Sequence, residues 1–203
     1  MVSGTDTQAR KRQRRGEVEA RLREAITTLA AESTFRDLRV EEIAAAAGLS
    51  RSAFYFYYPG KLELLLDATQ RVSEQLFEQA DRWYSGSGDS KVLIVEVLRD
   101  NASTWAQHAD LLRMATEVAS YDEEISVYWR GLVDRFVRGV AGRVRRDQEA
   151  GLVSADIDPE SCAEILVYAN EAYFLRNVAW DGGSPEDAAR ALAPIWLRTL
   201  YRT

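Results

Sequence analysis

The residues best suited to binding chemistry in this chain lie between Ser50 and Tyr58. The five consecutive aromatic residues Phe54–Tyr58 cannot share one buried helical face, because neighbouring positions on a helix point about 100° apart. An inward set of Leu49, Phe54 and Tyr58 fits a helix, and the residues left outside are Arg51, Ser52, Tyr55 and Tyr57. An arginine and tyrosine hydroxyls on an exposed helix suit contacts to phosphates and base edges. An aromatic-rich core is the alternative.

A glycine turn between two short helices is needed to position these residues. The first helix has one apolar stripe, formed by Val40, Ile43, Ala44 and Ala47. Gly48 follows this stripe, at a left-handed position that is unstrained for glycine. Ser50 can cap the second helix, and Pro59 and Gly60 end it after about two turns. The pattern predicts a helix-turn-helix, whose second helix can enter a DNA major groove.

The same segment carries the motif Ile43-Ala44-x3-Gly48-x-Ser50-x3-Phe54-Tyr55-x-Tyr57-Tyr58-x2-Lys61. This motif resembles the signature of TetR-family transcriptional repressors, and the resemblance covers about residues 20–65. The Phe54–Tyr57 run and parts of the C-terminal half are similar to the ethionamide-resistance-regulator branch of that family. Arg39 departs from the family pattern, which has a Ser or Thr cap there. The departure weakens the cap and adds a cation close to the predicted DNA face.

The outward residues and the resemblance together predict a set of DNA-contacting residues. The predicted set is Arg39, Ser50, Arg51, Ser52, Ala53, Tyr55, Tyr57 and Lys61. Lys61 is expected to meet a phosphate, with a solvated lysine as the alternative. Residues 1–16 are expected to form a disordered basic arm, which either follows the DNA or is a solvated tail. The expected partner is a double-stranded operator, palindromic if the protein is two-fold symmetric.

Charge is distributed unevenly along the 203 residues, although the net charge is −6. Residues 1–61 contain 11 Lys or Arg and 8 Asp or Glu, a balance of +3, whereas residues 62–203 contain 15 and 24, a balance of −9. This asymmetry is typical of a chain that touches DNA with one end. Cys162 is the single cysteine, which excludes an internal disulfide and favours a reducing cytoplasm. The longest apolar runs are too short for a membrane span.

The helical periodicity predicts an all-α fold of about nine helices. A three-helix, helix-turn-helix DNA-binding head is expected over residues 17–61, and a helical ligand-binding and dimerisation body over residues 62–203. Helices 4 to 7 are predicted at about 60–84, 90–108, 110–119 and 123–150. Helices 8 and 9 each begin with a cap followed by proline, at Asp158-Pro159 and Ser184-Pro185. Gly139 and Gly142 lie inside helix 7, where they either allow close packing or make room for a bound molecule.

Helices 8 and 9 are apolar around more than one stripe, which predicts that part of their surface is buried against another chain. The family resemblance implies the same arrangement, a homodimer held by a four-helix interface of these two helices. A homodimer through helices 8 and 9 is therefore the expected assembly.

A small-molecule pocket is the second expected site. Aromatic walls with one amide are typical of a ligand pocket, and the candidate residues are Trp105, Met114, Trp129, Val133, Phe136, Asn170, Tyr173 and Phe174. A plain aromatic core is the alternative. The resemblance implies that Asn170, followed by Glu171, anchors a ligand. A capped or dimer-facing Asn170 remains open.

These expectations describe a dimeric repressor that binds an operator and is released by a small apolar effector. The alternative is an effector-independent DNA-binding protein with a filled core. An enzyme is not expected, because the sequence has no nucleophile–base set and no metal-ligand motif. No cofactor and no metal site are predicted.

Overall fold

The computed structural model describes the backbone of residues 3–201 and the side chains of residues 8–201. Within these residues it has nine α-helices, one π-helical segment and no strand, which confirms the predicted all-α fold. The helices are α1 (Ser3–Leu29), α2 (Val40–Ala46), α3 (Arg51–Tyr57), α4 (Lys61–Tyr84), α5 (Ser90–Gln107), α6 (Ala109–Ala119), α7 (Glu123–Glu149), α8 (Pro159–Tyr173) and α9 (Pro185–Leu200), with π-helical turns over Phe174–Trp180.

The chain divides into two compact units, a head unit of Met1–Gln70 and a body unit of Arg71–Thr203. Helix α4 contributes residues to both units, because the division falls inside it. The boundary predicted after residue 61 lies at the first residue of α4, nine residues before this division. The functional assignment of the two parts remains a prediction at this point.

The head unit is a small bundle whose core is built by α1, α2, α3 and the first turns of α4. Its fully buried side chains include Leu22 and Ile26 of α1, Ile43 of α2 and Phe54 of α3. Burying such side chains contributes about 1.5–3 kcal/mol each, so a few residues hold the short helices α2 and α3 in place. Neither helix is long enough to be stable alone.

Residues 3–16 differ from their prediction as a disordered arm. The structure continues α1 through them from Ser3, while residues 1 and 2 lie outside the described residues. Pairs of side chains four positions apart stabilise this helix: Gln13 donates to Glu17 at 3.1 Å, and Arg15 pairs with Glu19 at 2.7 Å. Such local pairs support a helix in a polar segment that has no apolar stripe.

The turn chemistry of the head follows the sequence closely. Gly48 has a φ of +69°, the left-handed conformation predicted at the end of α2. The Ser50 hydroxyl accepts a hydrogen bond from the backbone N–H of Ala53 at 3.2 Å and caps α3. At the start of α2 the Arg39 side chain accepts no such bond, and the Glu42 carboxylate accepts one from the Arg39 N–H at 2.8 Å. Glu42 thus partly replaces the missing Ser or Thr cap.

One carboxylate ties three parts of the head together. Asp67 of α4 pairs with Arg23 of α1 at 2.7 Å and accepts a hydrogen bond from the Tyr58 hydroxyl at 2.5 Å. Tyr58 is buried, as the inward assignment requires. Burial, followed by its hydrogen bond to Asp67, raises the pKa of Tyr58 well above its usual range. The end of α3 is thereby fixed to its two neighbouring helices.

In the body unit, Gly139 resolves an alternative that the sequence left open. A Cβ atom at Gly139 of α7 would lie 2.5 Å from the ring of Tyr84, so the glycine allows close packing of α7 on α4. At Gly142, a Cβ would meet its nearest neighbour, an atom of Arg146, at 3.9 Å, which is ordinary contact. Close packing therefore requires a glycine at position 139 but not at position 142.

Candidate functional site

The exposed face of α3 carries several of the residues predicted to meet DNA. Arg51 and Ser52 are exposed, and the Tyr55 side chain is 45% exposed. The Arg51 guanidinium lies 3.1 Å from the Glu41 carboxylate, and its central carbon is 5.7 Å from the centre of the Tyr55 ring. An exposed ion pair of this kind contributes little to stability, so a phosphate or base edge can replace Glu41 at low cost.

The outward aromatic positions of α3 differ from the prediction in one respect. Phe56 is 73% exposed, while Tyr57 is half-buried with the Arg15 guanidinium carbon 6.0 Å from its ring centre. Phe56 lies one helical turn after Ser52, and this spacing was the available signal for its outward position. An exposed phenyl ring on such a helix can contact a thymine methyl group.

The Lys61 ammonium group forms hydrogen bonds within the head unit. Its ammonium donates to the backbone carbonyls of Phe35 at 2.5 Å, Leu38 at 2.7 Å and Arg36 at 3.3 Å. Three carbonyls use all three N–H donors of the ammonium, so the geometry favours a structural role over the predicted phosphate contact. Arg39 is exposed at the start of α2, where it can supply a cation to DNA.

The body unit contains a cavity of about 90 Å³, which is room for about six to nine water-sized groups at about 10–15 Å³ each. Helices α4, α5, α7 and α8 line it along stripes of three- and four-residue spacing, which places these side chains on one face of each helix. The lining residues of α5 are Ile94, Val97, Leu98, Asn101 and Trp105, and those of α7 are Trp129, Leu132, Val133, Phe136 and Val140.

Six of the eight residues proposed from the sequence line this cavity, namely Trp105, Trp129, Val133, Phe136, Asn170 and Phe174. Met114 is buried elsewhere: α6 contributes Leu112 to the lining, and Met114 points about 200° away from it on the same helix. Tyr173 is half-buried and lies about 100° round the helix from Phe174, off the lining stripe.

One partly buried carboxylate of the lining, that of Glu171, contacts a group of aromatic rings through Trp129. The Trp129 indole N–H donates to Glu171 at 2.5 Å. The Trp105 ring lies edge-on to the Trp129 ring, 6.5 Å between centres, and 6.1 Å from the Phe174 ring. Burial raises the pKa of the Glu171 carboxyl above its usual range, and the indole hydrogen bond opposes part of that rise.

Two lining amides have different hydrogen-bonding states. The Asn170 side-chain oxygen accepts a hydrogen bond from the Trp196 indole N–H at 2.9 Å, so Asn170 faces the interior. The side-chain oxygen of Asn101 is buried without a hydrogen-bond partner among the described residues. Sequence reasoning missed Asn101, although it occupies the apolar stripe of α5 between Leu98 and Trp105. A buried acceptor without a partner is costly and is satisfied by a bound molecule or water.

Two family models match the chain, one for each part of this architecture. The model of bacterial regulatory proteins of the tetR family matches residues 22–68, and the model of the C-terminal domain of the transcriptional regulator EthR matches residues 94–202. Both models describe transcriptional regulators. The chain belongs to the TetR family of regulators, with a C-terminal domain of the EthR type.

Curated relatives agree with this assignment. The chain is 26% identical over 176 residues to the HTH-type transcriptional regulator EthR of Mycolicibacterium smegmatis, a match that covers 83% of this chain and 79% of that protein. It is 22% identical over 176 residues to EthR of Mycobacterium tuberculosis, covering 81% and 78%. The predicted resemblance to the TetR family is thus confirmed.

Solved structures share the fold at lower sequence identity. FadR of Thermus thermophilus, a TetR-family repressor in complex with lauroyl-CoA, has a TM-score of 0.64 and 24% identity over 91% of this chain and 96% of its own. A regulator from Saccharomonospora viridis in complex with choline has a TM-score of 0.71 and 20% identity, covering 93% and 100%. No described helix of this chain has the length and apolar character needed to cross a membrane.

Proposed function

We propose that this protein is a dimeric repressor that binds a palindromic operator through α3 and is released by a small effector in the body cavity. The observation that carries the proposal is the lined cavity, in a chain that also carries a helix-turn-helix. The alternative of an effector-independent protein with a filled core is disfavoured, because the body interior is not filled.

The proposed operator contacts are made by the exposed residues of the head. Arg51, Ser52, Tyr55 and Phe56 of α3 reach base edges and phosphates, and Arg39 adds a cation. Ser50, Ala53 and Tyr57, which were predicted from the sequence, flank this set. Lys61 acts by holding the segment before α2, through its three carbonyl contacts.

The proposed dimer forms through α8 and α9. Ile165 and Tyr168 of α8 and Ile195 of α9 are exposed, Ile165 at 69%. Exposed large apolar residues on two adjacent helices are typical of an interface between copies of a chain. Light scattering should report a dimer for the wild type and a monomer for Ile165→Glu; a dimeric variant would contradict this interface.

Effector binding has to favour one of two conformations in order to release DNA. Helix α4 is the covalent link for such a change, since its residues Ser73–Tyr84 contribute to the cavity lining and Lys61–Gln70 belong to the head. The lauroyl-CoA and choline complexes of the structural neighbours support small-molecule binding by bodies of this fold.

Filling the cavity tests the proposed control of DNA binding. A duplex is first selected from a random pool with the wild-type protein, and small apolar compounds are screened for release by fluorescence anisotropy. Val133→Trp, which fills the cavity, should bind the duplex normally and resist release by every active compound. Val127→Trp changes an exposed valine of the same helix and should respond like the wild type. Normal release of the Val133→Trp protein would contradict effector control through this cavity.

A further inference from the structure

The hydrogen-bonding groups of the cavity are unevenly used. Three of the tryptophans that line it have already committed their indole N–H donors to protein acceptors: Trp83 to the Tyr201 hydroxyl, Trp129 to Glu171, and Trp196 to Asn170. The acceptors are less fully used, because the side-chain oxygen of Asn101 has no partner among the described residues. A hydrogen-bond donor on a bound molecule would satisfy this oxygen.

The carboxylate of Glu171 is the strongest unmatched acceptor. It receives one indole N–H, although a carboxylate can accept about four hydrogen bonds. Within the described part of the chain, no Lys, Arg or His forms an ion pair with it. A partly buried carboxylate without a cation carries part of the desolvation cost of its charge, and a ligand that brings a cation offsets that cost.

The rings beside Glu171 suit a cation as well. Trp105, Trp129 and Phe174 form a connected group, with ring centres 6.5 Å and 6.1 Å apart. The faces of such rings attract ammonium groups, and Trp is the strongest of them. Asn101 lies one helical turn before Trp105 on α5, and both residues line the cavity.

Most of the remaining lining is apolar. Leu76 and Ala80 of α4, Val97 of α5 and Val140 of α7 carry no polar side-chain atoms. A saturated hydrocarbon chain fits such a surface and gains about 0.8 kcal/mol for each buried CH₂ group.

From these contacts we infer that the effector is a cationic amphiphile, a protonated amine on an apolar chain, whose ammonium group binds Glu171 and Asn101 among the aromatic rings. This inference rests on the proposed function, because it assigns a chemical class to the effector of the same cavity. It specifies the ligand's charge, which the apolar character of the cavity alone leaves open.

Three probes with the same eight-carbon chain and different heads test the inference: octylamine, octan-1-ol and octanoate. Binding to the full-length protein at pH 7 is followed by tryptophan fluorescence, since Trp83, Trp105, Trp129 and Trp196 all line the cavity. Octylamine should bind about tenfold or more tightly than octanol, as a charge-assisted hydrogen bond predicts, and octanoate should bind most weakly.

Glu171→Gln should remove most of the preference for octylamine over octanol, while the amide oxygen can still accept the Trp129 N–H. Glu96→Gln makes the same charge change at an exposed position of α5 and should leave the preference unchanged. Asn101→Asp adds an anionic oxygen at the other contact and should increase the preference about tenfold. This third variant tests the charge preference without changing Glu171.

The possible failures are distinguishable. Octanol or octanoate binding at least as tightly as octylamine would overturn the cationic-head assignment and leave effector control standing. An octylamine preference that survives Glu171→Gln would also overturn it. Saturable binding by none of the three probes would count against the effector cavity itself and hence against the proposed function.

Discussion

Arg143 and Asp147 form a buried ion pair in α7, with 3.0 Å between the guanidinium nitrogen and the carboxylate oxygen. The same guanidinium donates to the carbonyls of Trp83 at 2.6 Å and Gly86 at 2.8 Å. The second carboxylate oxygen accepts a hydrogen bond from the Tyr201 hydroxyl at 2.8 Å. This network joins the end of α4, the loop after it, α7 and the residue that follows α9.

Removing one partner of this network should be strongly destabilising. Asp147→Ala leaves Arg143 as a buried charge without its carboxylate and is expected to lower the free energy of unfolding by about 3–5 kcal/mol. Urea unfolding followed by circular dichroism measures the loss. Asp100→Ala breaks the exposed pair with Arg82 and should cost under about 1 kcal/mol. Equal losses for the two variants would show that burial does not strengthen the Arg143–Asp147 pair.

Two glycines of α7 should respond to alanine with opposite signs. Gly139→Ala forces a methyl group against the Tyr84 ring and is expected to destabilise the protein by about 1–3 kcal/mol. A Cβ at Gly131 meets no atom within 4 Å, so Gly131→Ala should stabilise by about 0.5–1 kcal/mol through helix propensity. Thermal unfolding of both variants measures the difference, and a stabilised Gly139→Ala protein would contradict the close packing described for it.

Glu171 should lower the free energy of unfolding as the pH rises above the usual pKa of a glutamate. Burial raises the folded-state pKa of Glu171, so the folded state binds more protons than the unfolded state between the two pKa values. The contribution of Glu171 to stability is therefore fully present below its pKa in the unfolded state. It is lost as the pH rises through its pKa in the folded state. Tyr84, which also lines the cavity, has its pKa raised above the usual range and stays neutral in this window.

The Glu171→Gln variant isolates this effect. Its melting temperature should exceed that of the wild type near neutral pH, and the advantage should shrink as pH falls through the acidic range. Glu96→Gln is the control for a change of net charge at an exposed site. An advantage that grows on acidification would mean that the folded protein stabilises the charged carboxylate instead.

The helices were predictable because their signals are local. Caps and prolines at Asp158 and Ser184, and glycine at position 48, place helix ends within a short stretch of sequence. The buried and exposed positions of α3 followed from the 100° step between residues, apart from the exchange of Phe56 and Tyr57. Here Arg15, from another helix, partly covers Tyr57. Such a tertiary contact leaves no trace in the local pattern.

The cavity was predictable in its aromatic residues and less so in its polar ones. Large rings on converging helices identified most of the walls, whereas Met114 and Tyr173 required the rotation of each helix to be known. Asn101 was missed because one amide within an apolar stripe looks like a tolerated substitution until its oxygen is found without a partner. The three carbonyls that accept hydrogen bonds from Lys61 belong to a loop distant in sequence. The structural role of Lys61 therefore could not be predicted from its local sequence.

DNA binding by a double variant of α3 tests the assigned reading face most directly. Arg51→Ala combined with Tyr55→Ala removes two exposed side chains and should leave the melting temperature close to that of the wild type. Fluorescence anisotropy with the selected duplex, at fixed salt, should show a loss of about tenfold or more in affinity, since each base-edge contact contributes about 1–3 kcal/mol. An affinity equal to that of the wild type, in a folded double variant, would contradict DNA recognition by this helix.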